Sequence, residues 1–382
     1  ILCWTTFFYL VIKYINSENQ KWLYAIAIVF AIGFLNKYNM MFLLFGLAPA
    51  VLLTQQRKVL KKKGFYLAVL LALLLVLPNV LWQYQNGFPV IRHLKELSDT
   101  QLVHVDRMGF LTSQLLFFFG SLIVILASFY ALLFYRPYKN YRFFFWAFLF
   151  AISAFLYFKA KDYYAIGLYP VYIAFGAVFL GNVLKQGWKK YLKPVLIAFP
   201  LLFFIPMYNL VFPNKSPEYI VKNADRYTAM GMLRWEDGKD HELPQDFADM
   251  LGWKELAAKV DKAYDAIPNP HETLVLCDNY GQAGAINFYS EKGIQAVSFN
   301  ADYINWFNLD QKYTNIIRVI NYWERESEFL ETAAYFQTAT VVDSITNKYA
   351  REKGTTIYTF LGAKGDVNET LRSEINERLN DH

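Results

Sequence analysis

Apolar residues are not spread evenly along this chain. They come in runs, at about 1–12, 22–35, 38–54, 64–82, 111–134, 143–158, 164–184 and 194–212. Crossing the roughly 30 Å of hydrocarbon in a bilayer takes roughly 17–25 residues of helix, and several runs reach that length. Inside hydrocarbon, every backbone N–H and C=O must be satisfied within the protein, which makes such runs helical. A succession of about eight predicts a polytopic α-helical membrane domain with some spans short or broken. Composition agrees, since 55% hydrophobic and 19% aromatic residues exceed what an ordinary soluble chain of 382 residues carries.

The formal net charge of +6 averages two unlike parts. Residues 1–212 carry 20 Lys and Arg against 5 Asp and Glu, whereas residues 213–382 carry 18 against 27. The change falls at "LVFPNKSPEY", which sets two domains, a multi-span membrane domain over 1–212 and a soluble domain over 213–382. The basic excess lies in loops between apolar runs, so it does not point to nucleic acid. Two cysteines, Cys3 and Cys277, define neither a disulfide framework nor a metal site. The chain starts "ILCWTTFFYLVIKY", without Met or a charged leader, and reads as a helix entered partway. It is therefore expected to be a fragment whose N-terminal part lies upstream of Ile1.

Loop charges predict orientation, because cytoplasmic loops accumulate Lys and Arg. With 13–21 on the cytoplasmic side, alternate loops hold 14 basic residues and one acid, Glu18. The opposite loops hold six, Lys37, Arg92, Lys95, Arg107, Lys159 and Lys161, against four acids. This sets the protein in the cell (inner or plasma) membrane, multi-pass, with residues 213–382 extracytoplasmic.

Lys37 is the only charged side chain between Trp22 and Thr54, in "FLNKYNMMFLLF". A lysine at the centre of a bilayer costs roughly 2.5–3.5 kcal/mol on insertion scales. The span is too long for one helix and short for two, so two abbreviated helices meeting at "NKYN" are expected, with Lys37 at an outer tip. There it either snorkels to head groups or faces an anionic group, most simply a lipid phosphate. Two more outer segments fit the second reading. In "FPVIRHLKELS", Val90, Ile91, Leu94 and Leu97 fall at helical spacing, as in an amphipathic helix at the interface; a solvated surface helix is the plainer alternative. In "FKAKDYYAIGLYP", two lysines, an acid and two tyrosines share a turn between spans. Lysine offers three donors to phosphate oxygens and tyrosine one hydroxyl, though tyrosine is also a common interface anchor.

In the acidic part, "DFADMLGWKELAAKVDKAYDAI" is helical in period. "ETLVLCDN", "GIQAVSFN", "TNIIRVI", "ATVVDSI" and "TTIYTFLG" read as strands, and a charged helix closes the chain, which predicts an α/β layer. "NYGQAG" lacks the lysine of a phosphate loop and reads as a tight strand-to-helix turn. "DHELPQDFAD" gathers Asp240, His241, Glu242, Asp246 and Asp249, but at no standard metal spacing; it reads as a solvated helix start with Pro244 near the first position.

Taken together, "GFLNKYNMMFLLF", "LPNVLWQYQNGFPVIRHLKEL", "KAKDYYAIGLYPVYIAFGA", "HELPQDFADMLGW" and "NYGQAGAINFY" resemble glycosyltransferase family 39. That family includes dolichyl-phosphate-mannose protein mannosyltransferases and the lipid A aminoarabinose transferase. The resemblance implies a GT-C fold and inverting transfer of a sugar from a polyprenyl-phosphate donor to a protein or lipid acceptor, at the outer face. By the match, Lys37 with Tyr38, and Lys161, Tyr163 and Tyr164, would hold the donor phosphate; Arg92, His93 and Arg107 match more loosely. The family's catalytic acid sits in a first outer loop, which would lie upstream of Ile1, leaving Glu96 and Asp106 as the candidates for a base in this chain. No cofactor is firmly implied, no metal ligands are identified, and a divalent metal is compatible with the chemistry. Membrane lipids are the other expected partner. Two alternatives are a lipid or solute transporter and a membrane-anchored sensor, each with an extracytoplasmic domain.

Overall fold

A computed structural model describes residues 1–100 and 102–380, with the side chains of Glu96, Thr100, His104 and Asn380 outside the described part. The chain divides into two compact units, Ile1–Phe212 and Pro213–His382.

The first unit is helical. In order it contains α1 (Leu2–Ser17), α2 (Lys21–Asn36), α3 (Met40–Leu53), α4 (Lys63–Gln85) and α5 (Pro89–Thr100). These are followed by α6 (Arg107–Phe117), α7 (Leu122–Phe134), α8 (Arg142–Tyr157), α9 (Pro170–Val183) and α10 (Leu192–Val211). Helix α3 packs along α8, α7 along α9, and α2 along both α1 and α4. Phe8, Met40, Leu43, Leu132, Phe144, Phe155 and Tyr172 fill the centre. Small residues allow the close approaches. A Cβ on Gly46 would lie 2.7 Å from the Ala147 carbonyl, and one on Gly176 would lie 1.9 Å from that of Val124.

Among the described residues, α4, the stretch Arg136–Tyr157 and the stretch Gly187–Val211 are long and apolar enough to cross a membrane. The number rises to six if each of three bent helix pairs counts as one span. Two runs that read as continuous in the sequence are broken. Between α6 and α7 the chain bends by 62° around a 3₁₀ turn at Phe119–Ser121, where Gly120 lies against Pro200 of α10. Before α9 it bends by 46° after the 3₁₀ segment Asp162–Leu168. Helix α10 buries no residue, and Leu70, Leu73 and Leu74 of α4 are also exposed. An aqueous surface would not tolerate this much apolar area.

The loops gather at two ends. At one end Lys62 pairs with Glu18 at 3.2 Å, Gln55 donates to the Asn140 carboxamide at 3.0 Å, and the Tyr141 hydroxyl bonds Asn16. The α2–α3 turn and the segment before α9 meet at the other.

The second unit contains α11 (Pro217–Lys222), α12 (Ala224–Thr228), α13 (Gln245–Ala248) and α14 (Trp253–Asp265). Then come β1 (Thr273–Cys277), α15 (Tyr280–Tyr289), β2 (Ala296–Ser298), β3 (Asn315–Ile320), α16 (Arg325–Ala333), β4 (Phe336–Ser344), β5 (Thr356–Ala363) and α17 (Val367–Asn380). The sheet order is β2-β1-β3-β5-β4. Strands β2, β1 and β3 are parallel, and β5 and β4 join antiparallel. Alternation along β1 feeds two cores. Val275 and Cys277 meet Leu256, Val260 and Ile286 of α14 and α15, while Leu274 and Leu276 belong to a second cluster with Phe360, Val367 and Leu371.

"DHELPQDFAD" opens a short helix with Pro244 beside its first position and Glu242 and Asp246 exposed, as the sequence reads. Helix α13 is a single turn with Pro244 at the N-cap position and Phe247 and Ala248 buried. His241 stacks on Trp235 at 3.7 Å and pairs with Asp237 at 2.9 Å. The buried apolar pair, not the surrounding acids, decides how this segment folds.

Candidate functional site

Helix α2 stops because Lys37 adopts an extended backbone, φ −157° and ψ 126°. Its N–H still closes on the Gly33 carbonyl at 2.9 Å, and its own carbonyl accepts from Met40 N–H at 3.3 Å, so the chain reverses within three residues. The reversal is tight: a Cβ on Gly33 would touch Met40 and Cys3 at 3.0 Å. Lys37 is exposed, and its Nζ lies 4.2 Å from the Tyr164 ring centroid and 5.1 Å from that of Tyr163. Such cation–π contacts contribute about 0.5–1 kcal/mol at an exposed site and also aim the ammonium.

The two tyrosines are held from behind. Lys159 takes a positive φ of 48° as α8 ends, and the Ala160 N–H returns to the Phe155 carbonyl at 3.0 Å. Gln114 of α6, buried, donates to the Asp162 carbonyl at 2.9 Å. The Asp162 carboxylate in turn accepts the Tyr163 N–H at 2.7 Å. The rings of Tyr163 and Tyr164 then sit edge to face, 4.8 Å apart, and a Cβ on Gly167 would strike Trp4 at 2.8 Å. A charged tip is thus set against an aromatic pair far away in the sequence.

The remaining expected residues have other surroundings. Tyr38 donates its hydroxyl to Asn79 at 2.8 Å and accepts from Gln83 at 3.1 Å, while Gln83 also accepts the Val90 N–H at 3.2 Å. This chain of bonds ties the α2–α3 turn to the start of α5. Arg92 Nη2 donates to the Asn86 carbonyl at 2.7 Å, and its Nε is buried without a partner among the described residues. Arg107 Nε donates to the Leu156 carbonyl at 3.1 Å, linking α6 to the end of α8. His93 is exposed and Lys161 half-buried, each engaged with a neighbour. Asp106 caps α6 by accepting the Gly109 N–H at 2.5 Å. The Glu96 side chain lies outside the described residues.

Three supporting residues had not been singled out in the sequence: Asn79, Gln83 and Gln114. The available signal was an amide within an apolar run, with Asn79 and Gln83 four residues apart on one helical face.

A cavity of about 490 Å³ lies among α1, α2, α3 and α4, lined by Phe7, Ile26, Phe30, Leu47, Phe65 and Val76 among others. Its lining is almost wholly apolar, which suits a hydrocarbon chain and not a sugar.

In the second unit, Asp278, Glu324 and Glu328 bring carboxylates close enough to share a cation. Arg318 already lies among them, 3.3 Å from Asp278 and bonded to Glu328. Burial pushes the Asp278 and Glu328 carboxyls above their usual range. Burial likewise pushes the Cys277 thiol well up, which removes it as a nucleophile.

A helical unit with long apolar helices whose outer faces are exposed is that of a membrane protein. Residues 1–82 match the family model described as dolichyl-phosphate-mannose-protein mannosyltransferase, a membrane glycosyltransferase family. The matched segment holds Lys37, Tyr38 and Asn79, whereas Tyr163 and Tyr164 lie beyond it. No curated protein and no solved structure matches the chain.

Proposed function

We propose that this chain is a membrane glycosyltransferase with a GT-C-type bundle. It would move a sugar from a polyprenyl-phosphate donor to a protein or lipid acceptor at the outer face. The observation that carries this reading is the contact of Lys37 with Tyr163 and Tyr164. It joins the turn inside the family-matched segment to the other basic turn of the same end.

In the transfer, the acceptor oxygen bonds the anomeric carbon as the bond to the donor phosphate breaks. The phosphate leaves with the electron pair and its charge grows. A positioned ammonium and hydroxyl donors stabilise that charge where it develops. Lys37 supplies the ammonium, Tyr163 and Tyr164 aim it and offer hydroxyls, and Lys161 in the same turn adds a second cation. The apolar cavity among α1, α2, α3 and α4 would give the polyprenyl tail a place to lie within the unit. The acceptor's proton requires a base. Asp106 is engaged as a helix cap and Asp162 in its own turn, so the base is not assigned to either.

The test is Lys37→Ala in proteoliposomes with undecaprenyl phosphate as probe. Binding of the probe should weaken about tenfold or more, the scale of one lost hydrogen bond to a charged group at about 1.5–3 kcal/mol, and Lys37→Arg should recover part of it. Membrane insertion and the thermal unfolding midpoint should stay unchanged. Equal binding by Lys37→Ala would sink the proposal.

A further inference from the structure

Strand order in the second unit marks a place that the transferase reading does not use. The chain leaves β1 through α15 to β2 on one side, then returns to β3 on the other. Where strand order reverses in this way, the loops after the two neighbouring strands diverge, and a crevice forms at the strands' carboxyl ends. Here the crevice lies between the β1–α15 turn and the loop after β3, with the β4–β5 turn as its third wall.

The walls are joined by fixed polar groups. Gln282, fully buried, donates to Asn321 Oδ1 at 2.7 Å and to Glu352 Oε2 at 2.8 Å, linking all three segments. Asn321 N–H donates to Asp278 at 2.6 Å. Asn321 is 7% exposed and is held from both sides, at Oδ1 by Gln282 and at its N–H by Asp278. Beside it, Tyr322 and Trp323 are 53% and 62% exposed and lie edge to face, 4.9 Å between centroids. A Cβ on Gly354 would lie 3.1 Å from Tyr322 Cβ, so the ring is seated on the β4–β5 turn. Tyr280, at the mouth of the β1–α15 turn, is 58% exposed.

We propose that this crevice binds a neutral carbohydrate. A sugar presents an apolar C–H face and a rim of hydroxyls that both donate and accept. Exposed aromatic rings match the face, and rigid amides and carboxylates match the rim. Asp278, Glu324 and Glu328 lie together with Arg318 among them, and Glu352 stands on the β4–β5 turn. Arg318, already shared by Asp278 and Glu328, takes up the carboxylates a metal would need. The inference rests on the second unit alone and does not require the transferase reading.

The test uses the full chain in lipid nanodiscs, titrated with tri- to hexasaccharides of glucose, galactose, mannose and N-acetylglucosamine and followed by tryptophan fluorescence and saturation-transfer NMR. At least one series should bind saturably. Trp323→Ala should weaken it at least tenfold and Trp323→Phe much less; Trp323 is exposed, so folding is not at stake. Lys37→Ala should leave sugar binding unchanged, which separates this site from the phosphate site. Failure of every series to saturate, or equal binding by a Tyr322→Ala, Trp323→Ala double variant, would overturn the proposal. A fluorescence response to anionic nanodisc lipid without sugar would overturn it too, by making the rings a membrane anchor.

Discussion

Lys37 was conspicuous in the sequence because a charge in an apolar run needs a reason, and two abbreviated helices meeting at it could be read from segment length. Its partners could not. Tyr163 and Tyr164 stand far along the chain, and the packing of α8 on α3, with α1 and α6 against the turn itself, brings them to the α2–α3 tip. Asn79, Gln83 and Gln114 escaped for a different reason: an amide in a helix is polar without being costly once paired, so composition does not flag it. Glycines were equally silent, although Gly176 admits no side chain. Its Cβ would fall 1.9 Å from the Val124 carbonyl, so Gly176→Ala must push α9 off α7. Overpacking of this kind costs about 1–3 kcal/mol. A thermal scan in detergent should show the variant unfolding several degrees lower, whereas Gly181→Ala, with open space at its Cβ, should unfold with the parent. Equal midpoints for both would refute the packing.

At the scale of elements, period was the legible quantity. The pattern of "FPVIRHLKELS" predicted a helix, and α5 is one, with Ile91 and Leu94 left more than half exposed. In the second unit, apolar runs marked β1, β3 and β5, but their order was invisible, since hydrophobic pattern does not say which strand neighbours which. What locks α14 to the β4–β5 turn was also hidden. Burial alone would raise the Glu255 carboxyl, but it accepts from the Thr346 hydroxyl at 2.7 Å, the Thr346 N–H at 2.8 Å and the Asn347 N–H at 3.3 Å, and pairs with Lys259 at 2.9 Å. These outweigh burial and hold it at about 2, below its ordinary 4.5. A depressed carboxyl contributes stability that is complete above the unfolded value and lost as pH falls through the folded one. Glu255→Gln should therefore lower protection against hydrogen exchange in the β4–β5 turn at pH 7. The difference from the parent should shrink between pH 4.5 and about 2. A gap that stays constant over that window would show that the carboxylate is not the lock.

For the whole molecule, the segregation of loops gives the charge count a physical basis. Lys62 with Glu18 and Gln55 with Asn140 share one end, and the contacts of Lys37 and the tyrosines share the other. On the expected alternation of loops, the first end would carry 14 basic residues and the second six. Lys and Arg resist translocation, so the richer end should be cytoplasmic, and the phosphate site would then face outward. Single cysteines decide it. With Cys3 and Cys277 replaced by serine, Lys95→Cys, in the end shared with Lys37, should react with a membrane-impermeant maleimide on intact cells. Lys58→Cys should react only after permeabilisation. Tyr335→Cys, at a position 72% exposed in the second unit, should follow Lys95→Cys if that unit is extracytoplasmic. The reverse labelling would put Lys37 on the cytoplasmic face. A donor site on that side would then draw on cytoplasmic nucleotide sugars without needing a lipid carrier, and the apolar cavity would need another explanation. Labelling of Lys95→Cys outside together with Tyr335→Cys inside would instead require an odd number of crossings between them, and with it a recount of which bent helix pairs traverse the bilayer.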